Sequence, residues 1–174
     1  MTPEDGTLEL RDGLTVLRYE RRLRHPVDRV WRALTAPAQL RGWLAEADLE
    51  PQPGGRVELR WLNTDDAGDT AVARGTVARW EPPRVVELDT DIHGRLRWEL
   101  APDGAAGTRL TFTVEHPALP AEHVTKVRAG WHIHLEHLAA ALAGEPVDWA
   151  RWDADHLPRW RQIEARYAAQ HTTA

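Results

Sequence analysis

The sequence predicts an α+β fold: a curved antiparallel sheet wrapped around one long C-terminal helix, with two short helices after the first strand. Three observations carry this. His25 to Leu44, HPVDRVWRALTAPAQLRGWL, reads as two short helices broken at Ala36-Pro37. Gly130 to Gly144, GWHIHLEHLAAALAG, reads as the end of a long amphipathic helix. Everything between them is short alternating segments joined by turn signals, which is the pattern of an antiparallel meander. No βαβ period and no internal repeat is present.

Each element follows from its residues. Leu8 to Leu23 alternates loosely around an Asp12-Gly13 turn signal, and Leu14, Val16, Leu17, Tyr19 and Leu23 make a long first strand. Pro26 suits the start of a helix, where its missing N–H costs nothing. Val27, Val30, Trp31 and Leu34 then share one helical face, and Pro37 restarts a helix carrying Leu40, Trp43 and Leu44. Pro53-Gly54-Gly55 is a turn. Val57, Leu59 and Trp61 alternate with Glu58 and Arg60, so one strand face is buried and the other wet. Asp65 to Asp69 is a polar loop. Thr70 to Trp80 is a strand in which Gly75 marks a bulge or a close approach. Pro82-Pro83 breaks it. Val85 to Asp89, Arg95 to Leu100 and Arg109 to Val114 complete the meander, with turns at His93-Gly94 and Asp103 to Gly107.

The long helix starts near Ala121 to Val124, after the linker framed by Pro117 and Pro120. On a helical wheel, Val124, Val127, Leu135, Leu138 and Leu142 all fall within roughly 40° of Trp131. That stripe is expected to lie on the sheet. Gly144 and Pro146 end the helix. Trp160, Ile163 and Tyr167 give the tail an amphipathic helix. The chain therefore divides into a disordered lead-in at 1–6, one domain at 7–145, and an aromatic helical extension at 146–174 docked on it.

Composition bounds the function. The 174 residues carry 22 basic and 27 acidic side chains, a formal net charge of -5. This argues against nucleic acid, which asks for a basic stripe. Lys126 is the only lysine. With no cysteine, disulfides, thiolate metal sites and cysteine nucleophiles are excluded. No segment is long and apolar enough for a membrane span, and the acidic N-terminus does not read as a signal peptide, so a cytoplasmic location is expected.

HPVDRVWRALTAPAQLRGWL, the PGG at 53–55, the EPP at 81–83 and GWHIHLEHLAAALAG, in this order, resemble the bacterial SRPBCC proteins. More closely, they resemble the branch named after the C-terminal domain of the activator of the ninety-kilodalton heat-shock protein's ATPase. The resemblance covers Leu14 to Gly144 and implies a START-like helix-grip fold. Related proteins hold lipids, hormones or polyketides between sheet and helix. The branch has no shared catalytic motif, so no catalytic residue is carried over.

The candidate ligand-binding residues come from alternation and the wheel. Trp61, Trp98 and Phe112 lie on inward strand faces. Trp131 and Leu135 lie on the apolar stripe of the long helix, Trp43 on the small helix covering one end, and His134 about 60° from the stripe's centre. Nine tryptophans against one phenylalanine suit core filling first, and as the second reading a pocket for a flat ligand. His132 and His137 lie about 140° apart and cannot share one ion. His134 and His137 lack an acidic third ligand in register, so no metal is expected. Glu58, Glu87, Asp89, Glu99 and Glu136 fall on outward faces, and no carboxylate pair converges on the interior.

The expected function is binding of a small hydrophobic or aromatic ligand, with no cofactor and no catalysis of its own. The alternatives are a cyclase- or hydrolase-type enzyme using the cavity, and a co-chaperone-like interaction module. A homodimer and a chaperone partner stay open. A buried histidine or carboxylate beside a cavity would favour the enzyme, and an apolar patch on the outer sheet the interaction module.

Overall fold

The computed structural model describes residues 5–64, 69–117 and 119–171. Eight antiparallel strands form one sheet in the order β1-β2-β8-β7-β6-β5-β4-β3. β1 (Thr7–Arg11) and β2 (Leu14–Leu23) make a hairpin. Its two-residue turn has Asp12 and Gly13 both at positive φ, 51° and 80°. This is the geometry whose twist matches paired strands, and Asp-Gly adopts it readily.

β2 then leaves the sheet. α1 (Val27–Thr35) and α2 (Pro37–Leu40) carry the chain to the opposite edge. From there β3 (Glu46–Leu49), β4 (Arg56–Arg60), β5 (Val72–Glu81), β6 (Val85–Thr90), β7 (Gly94–Asp103) and β8 (Gly107–Pro117) fill back until β8 pairs with β2. α3 (Ala121–Leu142) follows. Gly75 marks a close approach: a Cβ there would run into the Asp89 carbonyl across the β5–β6 pair. The register shift in that pair falls a little later, between Val77 and Arg79.

Alternation sorts the strands as the sequence predicts. Leu17 and Tyr19 of β2, Leu59 of β4, Leu96 and Trp98 of β7, and Leu110, Phe112 and Val114 of β8 are buried in one cluster with Trp131, Leu135 and Leu138 of α3. The outer face carries charge. Arg95 makes a bidentate contact with Asp89 at 2.7 and 3.0 Å, and Arg97 bridges Glu87 and Glu99 at 3.3 and 2.8 Å. The exposed Arg95–Asp89 pair contributes about 0–1 kcal/mol, so it solubilises the face more than it stabilises the fold.

Three parts of the fold differ from the sequence expectation. β3 was not anticipated: it is a four-residue edge strand, held by pairing with β4. α3 also buries more than one stripe. Ala129 and Ile133, opposite Trp131, form a second buried cluster with Trp152, Ile163 and Tyr167 of the tail. That tail comprises a 3-10 turn (Trp149–Arg151), α4 (Trp152–Asp155) and α5 (Leu157–His171). α3 is therefore gripped by the sheet on one side and by the tail on the other.

The lead-in expected at 1–6 needs correction at its last two residues; residues 1–4 lie outside the described ones, as do 65–68 of the polar loop. Asp5 and Gly6 are buried. The Gly6 N–H donates to the Tyr167 hydroxyl at 2.8 Å, and Arg128 donates to the Gly6 carbonyl at 2.6 Å. Asp5 pairs with Arg166 at 2.7 Å. The segment is ordered because these tail and helix groups satisfy its backbone and its carboxylate. Gly6 also has no room for a side chain, since a Cβ would meet the Tyr19 ring. Gly6→Ala is expected to lower stability by about 1–3 kcal/mol, the range for overpacking a filled site. A urea midpoint equal to wild type would show that the ring can move aside.

Candidate functional site

The seven residues singled out from the sequence are brought together, and all are buried. Trp98 stacks on Phe112 with centroids 4.7 Å apart, Phe112 meets Trp131 edge-on at 5.0 Å, and Trp131 meets Trp61 at 6.2 Å. Leu135 lies in the same cluster. Trp43 is fixed by its indole N–H, which donates to the Ala33 carbonyl at 2.9 Å. His134 joins from the side: its Nδ1 lies 2.9 Å from the Trp43 carbonyl. The rings therefore touch one another across the sheet–helix interface. The Trp98 indole N–H is buried there with no hydrogen-bond partner among the described residues.

His134 lies deeper than its offset of about 60° from the apolar stripe suggests. His132, His134 and His137 are all buried. The reason is the tail, which covers the side of α3 that the wheel alone leaves wet. Trp152 stacks on His134 at 6.4 Å and meets His137 edge-on at 5.6 Å; Trp149 stacks on Trp152 at 5.8 Å. The Trp149 indole donates to the Arg41 carbonyl at 2.6 Å, tying the tail to the end of α2. Burial pushes His134 down to about 4, partly opposed by its bond to the Trp43 carbonyl. Burial, then the neighbouring His134 and His156, pushes His137 down to about 3. Burial likewise holds His93, whose ring lies 4.5 Å from Trp61, at about 4. All three are neutral imidazoles at pH 7. Among the described residues no group of three or more His, Asp or Glu side chains is placed to hold a metal ion.

A pocket of about 250 Å³ opens beside this aromatic core, between α3 and the tail. Lys126, Gly130, Ile133 and His134 form its α3 wall. Trp152, Leu157 and Trp160 form the tail wall, and Asn63 and Thr64, just after β4, close one end. Of the seven predicted residues, His134 lines it. Gly130 explains part of the space: it sits in mid-helix, and a Cβ there would meet nothing within 4 Å. A glycine inside a helix is destabilising by about 0.5–1 kcal/mol relative to alanine, and no close contact requires one here. Sequence reasoning missed the other lining residues because they come from three distant segments. The one local signal was Gly130, a glycine interrupting a strongly helical pattern.

A curved sheet closed on a long helix, with an aromatic interior and a side pocket, defines the START-like helix-grip class. The family model for activator of Hsp90 ATPase homolog 1-like proteins (AHSA1) matches residues 24–143. The chain belongs to this family, within the SRPBCC superfamily. Among solved structures, CalU16 from Micromonospora echinospora is similar with a TM-score of 0.71 at 22% identity, over 95% of this chain and 96% of that one. The BPP1335 protein from Bordetella parapertussis has a TM-score of 0.68 at 30% identity, over 95% and 90%. DynU16, a protein in the dynemicin biosynthetic locus, has a TM-score of 0.64 at 25% identity over 78% of this chain, which spans 49% of its length. No curated protein matches the chain. No helix among the described residues is long and apolar enough to cross a membrane.

Proposed function

We propose that this domain binds a small aromatic molecule in the pocket between α3 and the tail, without a chemical step of its own. The observation that carries this reading is the pocket itself: about 250 Å³, walled by Ile133, Trp152, Leu157 and Trp160, with Gly130 leaving room. An apolar cavity of about 150 Å³ holds benzene, so this one suits one or two fused rings. Behind His134, Trp61 and Trp131 make a rigid aromatic wall. The occurrence of the related DynU16 in a biosynthetic locus agrees with a small-molecule role.

The enzyme reading has one observation in its favour, the buried His134 beside the pocket. Its basicity argues the other way. A general base works best with a pKa near the operating pH, and an imidazole held at about 4 is a weak proton acceptor. The interaction-module reading asked for an apolar outer sheet. That face instead carries arginine–glutamate pairs, and the large exposed hydrophobic residues among those described are Leu10 and Ile92.

A panel of flat one- and two-ring compounds is expected to raise the melting temperature and change the indole emission of the wild type. Gly130→Leu is expected to abolish both responses while melting no lower than wild type, because the new side chain fills the pocket and removes a helical glycine. Binding that survives Gly130→Leu unchanged would place the ligand elsewhere; a silent wild type would remove the small-molecule reading.

A further inference from the structure

The polar groups in this pocket are few, and the hydrogen-bonding sense of His134 is fixed. The Trp43 carbonyl can only accept, so the His134 Nδ1 facing it at 2.9 Å carries the ring's hydrogen. In the neutral ring Nε2 is then a bare lone pair, and among the described residues it has no hydrogen-bond partner. Asn63 Oδ1, at another part of the lining, is buried with no partner among the described residues. Two acceptors without donors beside one pocket leave a demand that a ligand hydroxyl can meet, and at the buried Asn63 oxygen an unmet acceptor is costly.

The third group is Lys126. It is the chain's only lysine, it is exposed, and it has no ion-pair partner among the described residues. None of the described lining residues is acidic. Lys126 lies eight residues before His134 on the same helix, about 12 Å along its axis. A two-ring compound carrying groups at opposite ends spans a gap of this size.

We propose that the pocket, on the reading of it as a ligand site given above, is selective for a hydroxyaryl carboxylate. The rings lie against Trp152 and Trp160, the hydroxyl donates to His134 Nε2 or Asn63 Oδ1, and the carboxylate meets Lys126 at the mouth. The hydroxyl supplies the donor that the two acceptors lack. The carboxylate explains why the one amine of the wall is left unpaired.

Calorimetric titration of the whole chain with 6-hydroxy-2-naphthoate, 2-naphthoate and 2-naphthol tests this. The hydroxynaphthoate is expected to bind tightest. Losing the hydroxyl should weaken binding about tenfold, the scale of one buried hydrogen bond. Losing the carboxylate should weaken it about threefold, as for an exposed ion pair, and that difference should vanish in Lys126→Met and at high salt. Asn63→Ala and His134→Phe should each reduce the tenfold preference for the hydroxyl; Asn63→Ala serves if the histidine variant fails to fold. Equal affinities for the three compounds in the wild type would overturn the proposed selectivity and leave the aromatic site standing. Silence from all three, with a silent compound panel, would overturn the selectivity and the site together.

Discussion

Lowering the pH from 7 to 4.5 is expected to remove several kcal/mol of folding stability, well before the carboxylates are neutralised. His134 is held at about 4 and His137 at about 3, against about 6.5 in an unfolded chain. Above pH 6.5 both states leave these rings neutral, and they contribute nothing to pH dependence. Below it the unfolded chain takes up protons that the folded protein refuses, so stability falls with pH until the folded pKa is reached. For the fully buried His134 the limit is about 3 kcal/mol. Glu136 acts in a different window. Burial would raise it, but hydrogen bonds from His132 and Arg159 outweigh burial and hold it at about 2. Its contribution is present above about 4.5 and fades only as pH drops toward 2. Urea midpoints measured from pH 7.5 to 4.5 separate the two. They should fall steadily through this range in the wild type, and less in His134→Gln/His137→Gln, where His93, also held at about 4, keeps part of the slope. A flat wild-type profile between pH 6.5 and 4.5 would mean that water reaches these rings.

Trp131→Ala is expected to cost about 3–5 kcal/mol, the range for truncating a buried tryptophan. The residue sits where Phe112, Trp61 and His93 converge on α3, with centroids at 5.0, 6.2 and 5.4 Å. No neighbouring backbone can collapse into the gap, because the sheet is fixed by its ladder and α3 is held from behind by the tail. The rings around it would lose their contact on one side at once. Trp160→Ala makes the contrast: this ring is only partly buried at the rim of the second cluster, so its loss should cost clearly less. Equal losses in a denaturant titration would show that the tail cluster matters as much as the sheet-facing core.

Much of this architecture was legible because each element's pattern agreed with its place. Asp12-Gly13 announced a turn, and the alternation through Leu96, Trp98 and Leu100 gave the inward face of β7. The stripe through Trp131 gave the sheet-facing side of α3. β3 was not legible, since Glu46-Ala47-Asp48-Leu49 offers too little apolar alternation and is a strand through pairing alone. The buried histidines were not legible either. Their burial comes from Trp149 and Trp152, segments whose docking no local periodicity reports. Ile133, about 200° from Trp131 on the wheel, was the available sign that α3 had a second face to cover. The aromatic core could be assigned from strand faces, whereas the pocket beside it depends on three segments meeting.

The contacts joining Asp5 and Gly6 to Tyr167, Arg166 and Gln170 cross 161 to 165 positions of sequence. A ribosome delivers the first of these residues long before the last. β1 and β2 can pair locally as soon as they emerge, but β2 waits for β8, and Gly6 waits longer still for the hydroxyl of Tyr167. Assembly order is thereby written into the topology: hairpin first, meander and α3 next, the joining of the two ends last. Contacts this far apart are slow to find, so Asp5 and Gly6 are enclosed late, whereas Trp152 lies near enough in sequence to cover His134 and His137 as soon as the tail emerges.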